Sequence, residues 1–356
     1  MTSVQAKKST FYIDNKKKRI LYDHFIYLCE SVNKKMDYST AKILAKSRKE
    51  IRGKKLSYRT ERAYLDWIYR FLLFHPGKDP GLISELEISI FLSYHAVRKQ
   101  VAPSTQNQAF HAIRFMYRYV FNRTLKRFHY IRTRGPLPPP VVFSKDEIRE
   151  ILGKLSGDSK LIVSLLYGCG LRLSECLSLR IKDIDMINDE ISVLSDPPRT
   201  KRKLVIPKQL RNALFEKIEI LKYQYFQLSI NKFPGVTIPE EIKKSQPNAA
   251  KSFEWFYFFP SMVTMKTRLD KGSFMHHRSD TYVQRAVRKA IQKAGINKQG
   301  TCSSFRHSFA LHLLEEGYDI SQVQKIMGHK NIKSTKIYRK IIDDQKIIIS
   351  SPLDRL

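Results

Sequence analysis

"SSFRHSFALHLLEEGYDISQVQKIMGHKNIKSTKIY", residues 303–338, sets an arginine and a histidine, Arg306 and His307, at the mouth of an otherwise apolar helix. Further along, His329 directly follows Gly328, and Tyr338 stands in a lysine-rich run. Far upstream, Arg172 follows "GCGL" in "SKLIVSLLYGCGLRLSECLSL" (159–179), two apolar helical stretches broken at Gly168 and Gly170. Two distant arginines can fork onto the two free oxygens of one phosphodiester. A helix N-terminus beneath Arg306 adds its dipole to the same anion. A tyrosine hydroxyl can then attack phosphorus and form a covalent link.

Charge points the same way. Among 356 residues, 65 Lys and Arg face 33 Asp and Glu, a net +32, and the excess runs along the whole chain. Such a field suits a polyanion, whose released counterions supply affinity. The plainer reading is a lysine-rich surface on a soluble protein. The four cysteines, Cys29, Cys169, Cys176 and Cys302, form no C-x-x-C pair, so neither a zinc ribbon nor a disulfide framework is expected. "MTSVQAKKSTF" lacks the apolar core of a signal peptide, and runs such as "LIVSLLY" (161–167) fall well short of the roughly 20 residues that span a bilayer. A cytoplasmic protein with no membrane partner is expected.

The chain is long enough for two domains. Residues 1–50 are basic and weakly patterned and read as an N-terminal extension. Residues 51–132 are helical: Tyr64, Ile68, Phe71 and Leu72 share one face of 57–75, "ISELEISIFLSYHAV" follows, and a third helix covers 102–121 with Ser104 or Thr105 as its N-cap. "TRGPLPPPVVF" (133–143) is a stiff linker, residues 133–142 in the domain plan. "SKDE" (144–147) is a capping box that opens a mixed domain over 143–342. There, "EISVL" (190–194) and "KLVIP" (203–207) flank the turn-prone "SDPPRT" as a hairpin, 246–261 is aromatic-rich and loop-like, and 280–296 is an amphipathic helix ending at a glycine. Residues 343–356 form a tail whose isoleucines are too apolar to leave exposed.

At this point the chain resembles the tyrosine recombinases, or phage-integrase family, over roughly residues 51–340. "GCGLRLSECLSLRIKDID" is similar to their first-arginine box, and 303–338 to their second box through to the nucleophile. More narrowly, "GVTIPEEIKKSQPNAAKSFEWFYFFPS", "HH" and "VQRAVRKAIQKAGI" resemble the insertion of the integron integrases, here about 235–280. The resemblance implies a mostly α fold with a small β-sheet: a helical, SAM-like core-binding domain and a mixed α/β catalytic domain, closing as a clamp on DNA. It implies Tyr338 as nucleophile, Arg172 and Arg306 on the phosphate, His329 hydrogen-bonding it, and Glu175 and His307 in support. Trp255, His276 and His277 would engage bases extruded from a folded single-stranded site, although Phe274 and Met275 stand where arginines usually precede that pair.

Two positions depart from the pattern. Ser303 occupies the place of a histidine that does acid–base work, and a serine there is also a natural N-cap. The hairpin lysine that protonates the leaving 5′ oxygen has no Gly-Lys-Gly here; Lys201 is the choice, with Arg199 and Lys203 as rivals. Adjacent histidines without a further ligand do not suggest a metal. No cofactor is expected, because a phosphotyrosine conserves the phosphodiester's energy. The implied assembly is a homotetramer on two DNA partners. Two other readings stay open: a DNA-binding protein that holds recombination sites without cutting, and an Xer-like resolvase acting on duplex sites.

Overall fold

A computed structural model describes residues 38–54, 56–126, 128–133, 139–194, 201–231, 233–266 and 273–346. The chain divides into two compact units, Met1–Leu137 and Pro138–Leu356.

The first unit is helical: α1 (Tyr38–Gly53), α2 (Tyr58–Phe74), α3 (Glu85–Val97) and α4 (Pro103–Val120). Ser57 caps α2 by accepting from the Thr60 N–H, and Ser84 with Glu87 forms a reciprocal capping box at α3. Ile68, Phe71, Ile88, Phe91, Ile113 and Met116 are fully buried, and Ala109 and Ala112 on α4 complete the core. Two expectations need correction. Residues from Tyr38 onward belong to this helical unit, because Arg48 and Arg52 on α1 hold Glu61, a buried carboxylate on α2, at 3.6 and 2.9 Å. Helix α4 is opened by Pro103 after Ala102, so Ser104 and Thr105 sit inside its first turn. Proline's fixed φ and missing N–H suit that first position. Residues 1–37 lie outside the described residues.

The second unit begins with α5 (Lys145–Gly153), opened by the expected Ser144–Glu147 box, then α6 (Gly157–Gly168) and α7 (Leu173–Ser178). The break between α6 and α7 depends on Gly170, whose φ is +62°. A Cβ there would come within 2.5 Å of the Phe309 ring. Strands β1 (Ile184–Asp185), β2 (Glu190–Leu194) and β3 (Lys201–Val205) form an antiparallel sheet in that order, with Ile191 opposite Leu204 and Val193 opposite Arg202. The turn between β2 and β3 falls outside the described residues. Helices α8 (Arg211–Ile230) and α9 (Glu240–Ser245) lead to the antiparallel pair β4 (Pro260–Lys266) and β5 (Ser273–His277). The chain continues through α10 (Asp280–Lys293), α11 (Cys302–Glu315), α12 (Ile320–Met327) and α13 (Lys333–Lys346).

The aromatic run read as loop-like is instead built into the core. Residues 253–255 form a 3-10 turn, Phe256, Phe258 and Phe259 are fully buried, and β4 starts at Pro260. Consecutive aromatics carry no helical or strand period, so the sequence does not distinguish a buried irregular segment from a loop. Among the described residues no helix is long and apolar enough to cross a membrane.

Candidate active site

The site is organised around one carboxylate. Glu175, in the first turn of α7, accepts the Arg172 backbone N–H at 2.8 Å and the Arg172 guanidinium at 2.7 Å. Arg202, on the inward face of β3, meets both carboxylate oxygens at 3.1 and 2.7 Å and donates its Nε to the Ile326 carbonyl. Arg306, on the first turns of α11, lies 3.6 Å from the same carboxylate and donates to the Gly170 and Met327 carbonyls. Burial alone favours a protonated Glu175. The bonds from Arg202 and Arg172 outweigh it and hold the carboxyl at about 2. Three guanidiniums against one carboxylate leave the pocket positive. Arg306 registers the strain: burial first, then the Arg172 charge, brings it down to about 10. An anion bridging Arg172 and Arg306 would offset their mutual repulsion.

Tyr338, on α13, is 1% exposed, and its hydroxyl lies 2.7 Å from His307 Nδ1. Burial raises the phenol's pKa, while the Arg306 and Arg172 charges oppose that rise. The His329 ring stacks beside Tyr338, centroids 6.5 Å apart, and its Nδ1 meets the Thr335 hydroxyl at 2.9 Å. Burial, then Arg306 and Arg172, lowers His329 to about 4, so the ring is neutral at physiological pH. His307 is lowered by burial and by Arg306. The turn carrying His329 rests on Gly328, a left-handed cap (φ +61°) whose carbonyl accepts from Arg172 at 3.3 Å.

Thus Arg172, Arg306, Glu175, His307, His329 and Tyr338 come together from α7, α11, the α12–α13 turn and α13. The other anticipated residues lie elsewhere. Ser303 is exposed in the first turn of α11, and the cap is Thr301, whose hydroxyl accepts the Ser303 N–H at 3.3 Å. The capping reading of Ser303 is therefore corrected. Lys201 and Lys203 occupy the exposed face of β3, and Lys203 pairs with Glu190 at 2.6 Å. Arg199 lies outside the described residues. Sequence reasoning misses Arg202; its signal is its two-residue spacing from the apolar Leu204, which puts it on the buried face of the strand.

Trp255, His276 and His277 gather in a separate cluster around the buried Arg180. Arg180 lies 3.6 Å over the Tyr257 ring and donates to the Trp255 and Thr237 carbonyls, both at 2.7 Å. His276 stacks on Tyr257 (5.4 Å) and lies 4.0 Å from His277, centroid to centroid; burial, then His277, takes His276 down to about 4. Trp255 is 8% exposed and Lys182 Nζ sits 3.0 Å over its ring. A stacking base must displace that ammonium.

Residues 142–344 match the model of the phage integrase family, and residues 43–127 match that of the phage integrase N-terminal SAM-like domain. Proteins named integrase/recombinase from Escherichia coli and Pseudomonas aeruginosa are each 36% identical over 319 residues, covering 89% of this chain and 94% of the relative. The fold is shared with the XerH recombinase bound to its difH substrate before cleavage (TM-score 0.56, 16% identity, 92% of this chain and 94% of that one). It is shared also with the Tn1549 transposon integrase in complex with a circular intermediate DNA (TM-score 0.58, 16% identity, 85% and 99%). The chain belongs to the phage integrase family and is a site-specific tyrosine recombinase, an enzyme that cleaves and rejoins DNA.

Proposed function

We propose that this recombinase is of the integron integrase type and acts on folded single-stranded as well as duplex recombination sites. Tyr338 attacks the scissile phosphate, forming a 3′-phosphotyrosine and freeing a 5′-hydroxyl; attack by a second strand's hydroxyl reverses the step. Arg172 and Arg306 hold the non-bridging oxygens and stabilise the charge of the transition state. Glu175 orients the arginines, His329 and Ser303 donate hydrogen bonds to the phosphate, and Lys201 protonates the leaving oxygen. Trp255, His276 and His277 receive an extruded base. The helical unit serves as the core-binding domain, and four protomers assemble on two DNA partners.

One observation supports the catalytic part of this reading: both arginines and both histidines converge on the Tyr338 hydroxyl, in a pocket with a surplus of positive charge. The experiment is incubation of the full chain with a nicked, folded single-strand site, followed by a denaturing gel. A covalent protein–DNA band is expected, absent in Tyr338→Phe. DNA bound without a band would favour a protein that holds sites without cutting them.

A second reading, an Xer-like resolvase confined to duplex sites, is favoured by the burial of Trp255 under Lys182. It predicts that a duplex site competes better than the folded strand; the integron-type reading predicts the reverse.

A further inference from the structure

We infer that His307 is the base that removes the proton from Tyr338, filling the post that Ser303 leaves open. The inference rests on the reading of Tyr338 as nucleophile.

The geometry singles out His307. Its Nδ1 lies 2.7 Å from the Tyr338 hydroxyl, within reach for direct proton transfer. His329 is poorly placed to take that proton, because its ring lies alongside the face of the tyrosine and its Nδ1 is engaged by Thr335. Arg172 and Arg306 carry no lone pair to receive a proton. Ser303 is exposed and is one helical turn from His307 on α11, a spacing that puts the two on the same face. An imidazole is therefore supplied four residues later along that face than at the family's usual place.

The surroundings suit the role. His307 is half-buried, and the charged and titratable groups around it are Arg306 on its own helix, Tyr338 on α13 and His329 in the turn before it. Burial and the Arg306 charge favour the neutral imidazole, and its Nε2–H tautomer offers the Nδ1 lone pair to the phenol. Once protonated, His307 sits beside Arg306, whose charge makes the imidazolium a ready proton donor for the reverse step.

The step balances. The phenol proton passes to Nδ1 as the tyrosine oxygen bonds to phosphorus. The bond from phosphorus to the 5′ oxygen breaks, and that oxygen takes a proton from solvent or from a lysine. Entering and leaving oxygens lie roughly in line across phosphorus, so one imidazole does not serve both. In the reverse step the imidazolium returns its proton to the phenolate as the phosphotyrosine bond breaks.

The test uses the full chain and two nicked sites, one with an ordinary scissile phosphate and one with sulfur as the 5′ bridging atom. Sulfur departs without needing a proton. His307→Asn keeps a hydrogen-bonding group near the hydroxyl but no base. It should cleave about 100-fold more slowly than wild type on both substrates, measured at saturating DNA. His307→Ala should be equally slow and should regain cleavage when imidazole is added, a response that a purely structural defect would not give. Wild-type rates in His307→Asn, or full recovery of that variant on the sulfur substrate, would overturn the inference; the second result would place His307 at the leaving group. A wild-type chain that binds DNA but forms no adduct on either substrate would instead overturn the Tyr338 reading beneath it.

Discussion

Glu175 is the residue on which the site turns. It meets Arg172 and Arg202 directly and Arg306 at 3.6 Å, with its side chain 10% exposed. Removing one member of a buried ion cluster leaves the others uncompensated, at a cost of about 3–5 kcal/mol. Glu175→Gln should therefore lower the melting temperature and abolish cleavage, while DNA binding survives because the pocket has become more positive. The acid limb of stability follows from the same group. Its folded pKa of about 2 lies below the unfolded value, so its contribution is complete above about pH 4.3 and is lost as pH falls toward 2. The histidines act earlier. His276 and His329 are both lowered from 6.5 to about 4, so the unfolded chain binds more protons between those values. Stability should fall as pH drops from 6.5 to 4, and His276→Asn should flatten part of that slope in a series of thermal melts.

At the scale of elements, strand β3 divides its basic residues by alternation. Arg202 faces inward onto Glu175 and the end of α12, whereas Lys203 faces outward onto Glu190. Arg202→Lys keeps the charge but loses the two-pronged fork, so cleavage should drop by about tenfold or more with DNA binding little changed. Lys203→Ala removes an exposed pair worth about 0–1 kcal/mol and should be nearly silent in both assays. The α6–α7 break gives a conformational counterpart. Gly170→Ala places a side chain at φ +62° and against Phe309. It should destabilise the second unit by more than about 1 kcal/mol, read as an earlier denaturant midpoint, and should loosen Arg306, which donates to the Gly170 carbonyl.

For the whole molecule, the +32 charge predicts that binding to a recombination site weakens steeply with salt, roughly a thousandfold between about 50 and 200 mM. The C-terminal tail enters here too. Helix α13 carries Tyr338 and continues to Lys346, and Ile342 is buried in the same apolar cluster as the tyrosine. A truncation at 343 would therefore cut into the helix that carries Tyr338. The isoleucines at 347–349 lie outside the described residues. On the proposed assembly of four protomers, with these isoleucines docking on a neighbouring protomer, deleting 347–356 should abolish assembly while sparing binding of one protomer to one site; unchanged assembly on a sizing column would refute that docking role.

Much of this was legible in the chain itself. The capping box at Ser144, the glycine break before Arg172 and the two strands of the hairpin are signals between near neighbours, which local backbone chemistry alone can express. Arg172, Arg306, His329 and Tyr338 stood out because their spacing accompanies such signals. The tertiary structure alone decided that Arg202 joins Glu175, that His307 reaches the Tyr338 hydroxyl, and that Trp255 is buried under Lys182. Each of those contacts joins side chains from separate elements. Whether a charge is paired or a ring is covered depends on how distant elements close against one another, and no local pattern in the sequence encodes that closure.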